Sequence, residues 1–315
     1  MIRKHLGIYI VEAGGELVQC SISNRLRKQL IYPIADPSSL HHRVVAVKDV
    51  QVVDPIAIGD QVQFVPAGDG EGMIMAVLPR RNKLVRTTAG RKPLEQVIAA
   101  NVDQIVIAFA AARPEPKWNL LDRYLVAAES AGIPPLICIT KLDLVEPADL
   151  AEDIRLYRDL GYDVLLTSAV TGEGLDNLRA ALHERTSVLI GKSGVGKTSL
   201  LNAIQPGLGQ RVGAVGHGDV GKGKHTTTHL ELFALEAGGG LIDTPGMREF
   251  ALWDITQDEL ALLFPEMRDL VGQCKFGLDC THRSEPGCAI THGVEAGAIA
   301  ERRYQSLLRL TEEIN

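Results

Sequence analysis

The chain has 315 residues, room for two or three domains with at least one substantial core, and its 45% hydrophobic and 23% charged residues are ordinary for a folded protein. No apolar run is long enough to span a bilayer, and Met1-Ile2-Arg3-Lys4-His5 lacks the apolar stretch of a signal peptide, so a cytoplasmic protein without a membrane partner is expected. The net charge of −6 is uneven: residues 1–95 hold 13 Lys/Arg against 9 Asp/Glu, the rest of the chain 20 against 30.

Residues 1–80 show short β-like runs at 7–11, 17–21, 44–53, 61–65 and 73–78, punctuated by Gly14-Gly15, Pro55, Gly59 and the glycines of 68–72. Five short strands with turn signals predict a small β-barrel; an OB-fold is the natural candidate and an SH3-like barrel gives a similar pattern. Residues 81–95 read as a basic linker. Arg80, Arg81, Lys83, Arg86, Arg91 and Lys92 follow one another with no acid between them. Arg80, Arg81, Lys83 and Arg86 are therefore candidate RNA-phosphate contacts, and a solvated linker is the alternative.

From residue 96 to 255 the texture changes. Buried-type strands are predicted at 104–111, 135–140, 163–167, 187–190 and 240–243, and helices at 120–131, 148–160 and 175–184. Strands alternating with helices argue for a mostly parallel α/β sheet. Residues 256–315 read as a helical domain interrupted by a Cys/His cluster and ending in a helix at 298–314, where Arg302, Arg303 and Arg309 look like surface charges.

Within the α/β region, an apolar strand runs into Gly191-Lys192-Ser193-Gly194-Val195-Gly196-Lys197-Thr198 and then into Ser199 at a helix start. Strand, Gly-rich turn and helix is the context of a phosphate-binding loop. Backbone N–H groups wrap the phosphates, Lys197 reaches the β/γ oxygens, and Thr198 offers its hydroxyl to Mg2+. Asp243-Thr244-Pro245-Gly246 follows another apolar strand: Asp243 suits Mg2+ through water, and the Gly246 N–H suits a γ-phosphate. Thr140-Lys141-Leu142-Asp143 ends a buried strand, where Asp143 can accept two guanine N–H groups that adenine does not offer. The usual first residue of that element is Asn, so Thr140 is expected to loosen base contacts. Thr167-Ser168-Ala169 resembles the loop behind a guanine carbonyl. Residues 221–228, Gly-Lys-Gly-Lys-His-Thr-Thr-Thr, place Thr227 to close over Mg2+ and the γ-phosphate. In most GTPases the phosphate loop comes first and the guanine reader last; here the order is reversed.

Cys274, Cys280, His282 and Cys288 have the spacing C-x5-C-x-H-x5-C. Three thiolates and one imidazole suit a closed structural zinc site. A reactive-thiol cluster is the alternative, and a disulfide would leave one cysteine over. Cys20 and Cys138 stand alone in apolar runs and read as inert buried thiols.

Across nearly its whole length the chain resembles the ribosome small-subunit-dependent GTPase A family, through the N-terminal barrel, Asn101-Val102-Asp103-Gln104, the permuted GTPase elements, the G-K-G-x-H-T-T-T stretch and the Cys/His cluster. The resemblance implies a multidomain α/β protein: an OB-like β-barrel, a circularly permuted P-loop GTPase domain and a helical zinc domain. It implies GTP hydrolysis to GDP stimulated by the small ribosomal subunit, rRNA binding, and a role in late maturation of that subunit. Other assembly factors are candidate partners, and nothing in the sequence requires more than a monomer. Met247 stands where Ras-like enzymes place a water-orienting Gln; the resemblance assigns that task to His225, with Lys197 and Thr227 completing the catalytic set. A nucleotide-gated RNA-binding checkpoint and an ATP-dependent P-loop kinase are the other readings.

Overall fold

Apolar–polar alternation near the N-terminus makes antiparallel strands with one wet face, while fully apolar runs beyond residue 104 make parallel strands buried on both faces. The computed structural model describes residues 1–5, 7–27, 54–87, 95–216, 230–243, 255–283 and 285–314. Its strands are β1 (Arg3–His5), β2 (Ile8–Ala13), β3 (Glu16–Ile22), β4 (Val62–Gly68), β5 (Glu71–Val77), β6 (Lys83–Thr87), β7 (Glu95–Ala100), β8 (Gln104–Ala110), β9 (Pro135–Thr140), β10 (Asp163–Leu166), β11 (Thr186–Ile190), β12 (Leu230–Ala234) and β13 (Gly240–Asp243). The helices are α1 (Asn24–Arg27), α2 (Trp118–Ser130), α3 (Ala151–Asp159), α4 (Leu175–Leu182), α5 (Lys197–Ile204), α6 (Leu208–Gly216), α7 (Gln257–Leu260), α8 (Pro265–Arg268), α9 (Ala289–Glu295) and α10 (Glu301–Ile314). Among the described residues no helix is long and apolar enough to cross a membrane. The strand expected at 44–53 lies outside the described residues.

The chain forms two units, each assembled from three stretches of sequence. The first comprises Met1–Gln104, Arg179–Ile190 and Thr198–Ala251. Its strands run in the order β11-β13-β12-β1-β2-β3-β5-β4. β11 and β13 are parallel, with Val188 opposite Ile242, and β1 pairs antiparallel with both β12 and β2. Within β1-β2-β3-β5-β4 only β3/β5 is parallel, a Greek-key order that makes this an OB-like β-domain.

The described part of the basic stretch, residues 80–87, is held in place; residues 88–94 lie outside the described residues. Lys83–Thr87 is β6, paired antiparallel with β7 so that Leu84 meets Ala99, and Leu84 is buried. The reason is the apolar pair Leu84-Val85 in the middle of the strand: a register shift falls between them, Leu84 is buried, and Val85 packs against Ala57, Val97 and Ala100. Arg80 forks onto buried Asp60 through Nε and Nη2, each 2.7 Å from a carboxylate oxygen, and Asp60 also accepts the Ala57 N–H at 2.7 Å. Arg81 donates to Asp103 at 2.6 Å, while the second oxygen of Asp103 accepts the Thr186 N–H at 2.8 Å.

The second unit comprises Ile105–Leu178, Gly191–Lys197 and Leu252–Asn315. Its strands lie β10-β9-β8, all parallel, with every residue of β8 buried. Val126 of α2 packs into one core with Leu260, Phe264, Met267, Ile290, Leu307 and Leu310, so the C-terminal helices share a core with α2.

A charged group lies inside that core. Arg303 of α10, expected from sequence to be solvated, is fully buried. It donates to Asp122 of α2 at 2.7 Å and to both oxygens of Glu266 at 2.6 and 3.1 Å. The same Asp122 accepts Tyr157 at 2.7 Å and Ser306 at 2.5 Å, so every part of the carboxylate is used. The guanidinium lies over the rings of Phe264, 4.6 Å away, and Tyr157, 5.8 Å away. Burial works against its charge, but Asp122 and Glu266 more than offset this and raise its pKa. Arg302, also expected at the surface, is half-buried over Trp118 and Tyr157 and ion-paired with Asp153. Removing one member of a buried pair strands the other without water, at a cost of roughly 3–5 kcal/mol. Arg303→Leu is therefore expected to lower unfolding stability by about that amount in a denaturant titration; a loss below about 1 kcal/mol would contradict the assignment.

Candidate functional site

The phosphate loop occupies residues 191–198 between β11 and α5. Gly191 has φ +150°, and a Cβ there would lie 2.4 Å from the Ala108 carbonyl oxygen, so only glycine fits at the strand exit. Gly196, at φ +94°, lets the loop turn beneath the side chain of Lys141. The Lys197 ammonium donates to the Gly191 carbonyl at 2.6 Å and to the Lys192 carbonyl at 3.1 Å, which centres a cation in the loop. Val195 is buried, whereas Lys192, Ser193, Gly194, Thr198 and Ser199 are exposed, the last two in the first turn of α5. A glycine-rich turn opening onto a helix N-terminus is suited to anionic phosphate oxygens.

Two side chains from the end of β9 reach this loop. The Thr140 hydroxyl donates to the Val195 carbonyl at 2.6 Å. Lys141, with left-handed backbone (φ 59°), donates to the Gly194 carbonyl at 2.6 Å and also to the Arg113 carbonyl. Thr140 is thus a buried strut between the two elements, and its hydroxyl faces loop backbone. Leu142 is buried and anchors the turn, while Asp143 is exposed. Buried Ser168 donates to Asp143 at 2.5 Å and accepts the N–H groups of Val170 at 3.2 Å and Thr171 at 3.1 Å. The Thr167 N–H donates to Ile139 at 2.7 Å and its carbonyl accepts Leu142 N–H at 3.1 Å, fixing the two turns side by side. Ala169 is half-buried, next to Val170 at 82% exposure. The result is one exposed, positioned carboxylate beside a cation-centred phosphate loop.

The sequence identified Asp143 and Ser168 separately; their mutual hydrogen bond was not readable from spacing. Asp243 ends β13. His225, Thr227 and Gly246, with the rest of 217–229 and 244–254, lie outside the described residues.

The four metal-ligand candidates converge. Ligand atoms of Cys274, Cys280, His282 and Cys288 all lie within 4.8 Å of one another. A tetrahedral zinc with bonds of about 2.3 Å to sulfur and 2.0 Å to nitrogen spaces sulfurs about 3.8 Å apart and sulfur from nitrogen about 3.5 Å apart. The Cys274 and Cys288 sulfurs are 3.8 Å apart, and His282 Nδ1 is 3.5 Å from each. The donor set and its spacing fit a zinc site. Burial lowers the His282 pKa and so favours the neutral, ligating imidazole.

Sequence reading missed the brace around this cluster. Glu285 accepts the Thr281 hydroxyl and the N–H groups of Thr281 and Arg283, both at 2.9 Å. Led by the Thr281 hydroxyl, these bonds pull its pKa down to about 2. Ala289 N–H donates to the Cys274 sulfur at 3.3 Å, and Tyr304 donates to the His282 carbonyl at 2.7 Å.

Removing the Thr140 strut leaves a buried carbonyl without its donor, which costs about 1–3 kcal/mol. Thr140→Val is expected to speed nucleotide dissociation about tenfold while preserving preference for guanine, whereas Asp143→Ala erases that preference. Stopped-flow dissociation with ATP competition checks both; loss of guanine preference at an unchanged off-rate in Thr140→Val would contradict the strut.

The RsgA GTPase family model matches residues 77–253, more than half of the chain. A small ribosomal subunit biogenesis GTPase of Pseudomonas aeruginosa is 48% identical over 255 residues, covering 80% of this chain and 74% of the relative. One from Moorella thermoacetica is 40% identical over 316 residues, covering 100% of this chain and 96% of the relative. Among solved structures, YjeQ from Thermotoga maritima superposes with a TM-score of 0.73 at 32% identity, covering 99% of this chain and 96% of that one. YloQ, described as a circularly permuted GTPase, gives 0.68 at 32% identity, with 99% and 93% covered. With residues 140–143 placed before the phosphate loop and tied to it by Thr140 and Lys141, the chain belongs to the RsgA GTPase family and is a circularly permuted GTP hydrolase.

Proposed function

We propose that this GTPase acts in late maturation of the small ribosomal subunit, is stimulated by that subunit, and couples hydrolysis to docking on its rRNA and release from it. The observation that carries the reading is the turn bearing Asp143, tied to the phosphate loop by Thr140 and Lys141, in a chain whose relatives are small ribosomal subunit biogenesis GTPases. The protein works in the cytoplasm as a monomer, with other assembly factors as further partners.

In this reading Asp143 accepts the guanine N–H groups, Ser168 holds that carboxylate, and Ala169 backs the guanine carbonyl. Lys141 and Leu142 complete the base-side wall. The N–H groups of residues 191–198 wrap the phosphates, Ser199 continues the helix start, and Lys197 neutralises the β/γ oxygens. Thr198, exposed in the first turn of α5, together with Thr227 and Asp243 would hold Mg2+, which supplies charge neutralisation on the phosphates when bound. Gly246 offers its N–H to the γ-phosphate. His225 orients the attacking water in place of the missing Gln, since the Met247 thioether cannot. Zinc resides in the Cys274, Cys280, His282 and Cys288 cluster as a structural ion. Arg81 and Lys83 contact rRNA phosphates, with Arg80 steadied from behind by Asp60; Arg86, whose side chain lies outside the described residues, is assigned the same role.

GTP turnover measured with and without purified small subunits, at rising salt, tests the reading. Strong stimulation that falls steeply with salt is expected, and no stimulation would refute it. His225→Ala is expected to keep GTP binding and lose stimulated turnover; an unchanged stimulated kcat removes His225 from the mechanism. Protein purified without added zinc should carry about one zinc per chain, and a folded, metal-free C-terminal segment would contradict the structural ion.

A further inference from the structure

The sheet β2-β3-β5-β4 turns one face to solvent, and that face has the wrong chemistry for RNA. Ordinarily the wet face of an antiparallel sheet carries polar side chains. Here the outward positions include Ile8, Leu17, Val65, Met73 and Met75, half of the ten large apolar side chains exposed among the described residues. Their placement follows from register. Tyr9 opposes Cys20, so one step along Ile8 opposes Ser21; Ser21 opposes Met73, and Met73 opposes Val65. One straight row therefore crosses four strands, a span of about 15 Å at the usual strand spacing, with Met75 beside it. Leu17 is 59% and Val65 56% exposed, far more than alternation in a β-strand requires.

The charges on this face are acidic. Glu71 lies two residues before Met73 on β5, Glu12 opposes Leu17 across β2/β3, and Asp69 sits in the exposed turn between β4 and β5. Strands β2, β3, β4 and β5 contain no Lys or Arg; on neighbouring β1, Arg3 is ion-paired with Glu231 and Lys4 with Asp54, and exposed Arg25 and Arg27 lie on α1, beyond the end of β3. Among the described residues of these four strands no aromatic ring faces outward: Tyr9 is buried, and Phe64 occupies the inward register opposite Ile74. RNA binding needs cations for phosphates and rings for base stacking, and the outward positions of these four strands offer neither. An apolar row containing two adaptable methionines, rimmed by carboxylates, complements an apolar patch rimmed by Lys and Arg on a protein.

We propose that this face docks a basic protein on the particle the GTPase visits, leaving RNA contacts to the cationic residues of β6 and its flanks. The choice of particle rests on the small-subunit reading; the choice of protein over RNA rests on the face itself.

The test replaces Met73 with a benzoylphenylalanine photo-crosslinker in the full chain bound to purified small subunits with a non-hydrolysable GTP analogue. Co-sedimentation with subunits is measured first, and its failure would refute the small-subunit reading and this proposal together. When the chain co-sediments, an adduct that resists ribonuclease and is destroyed by protease, on a protein of basic composition, is expected. An adduct on RNA, an adduct within the chain's own residues 28–53, or no adduct would overturn the docking proposal alone. In parallel, Val65→Glu with Met73→Glu should weaken subunit binding about tenfold or more while leaving binding to protein-free rRNA and intrinsic GTP turnover unchanged. Equal losses on subunits and on naked rRNA would also overturn it.

Discussion

The buried contact among Arg303, Asp122 and Glu266 is the constraint on which the second unit depends. A guanidinium held without water must have its donors met, and here five hydrogen bonds converge on it and its partner carboxylate. Tyr157 brings α3 into the group, Ser306 and Arg303 bring α10, Glu266 brings α8, and Asp122 brings α2. An apolar cluster of the same volume could hold these helices together as firmly. What the charged cluster adds is direction: its hydrogen bonds tie α2, α3, α8 and α10 at defined atoms, and Tyr304 of α10 in turn donates to the carbonyl of His282 in the metal-binding segment.

The nucleotide elements use the same economy on a smaller scale. Thr140 and Lys141 each spend a side chain on a phosphate-loop carbonyl, so the turn carrying Asp143 and the loop carrying Lys197 share one set of supports. These struts run through space, whatever the order of the turns in sequence. In the proposed reading Thr can stand where Asn is usual because one short hydroxyl holds the loop, and base recognition would rest with the carboxylate that Ser168 positions.

Much of the site was legible because its chemistry restricts residue type. Only glycine exits the strand at Gly191, a cation must follow it, and three cysteines with a histidine have few other uses. The supports were hidden for a physical reason. Arg303 and Asp122 are 181 residues apart, and each alone looks like a surface charge on a helix. β1 is three residues long and gains its place from pairing with β12 on one side and β2 on the other, a contact no local pattern predicts. In β6 the charges masked an apolar pair, Leu84 and Val85, too short to read as a strand, that packs inward. Sequence names groups that do chemistry more readily than groups that hold them still.

In this structure α2 and α10 form one cooperative unit locked by the Arg303 network. Native-state hydrogen exchange of the metal-loaded protein over a series of low denaturant concentrations measures whether they open together. The amides of 118–130 and 301–314 should merge into one opening with the same free energy and the same denaturant dependence. Separate openings, with α10 exchanging well before α2, would contradict it.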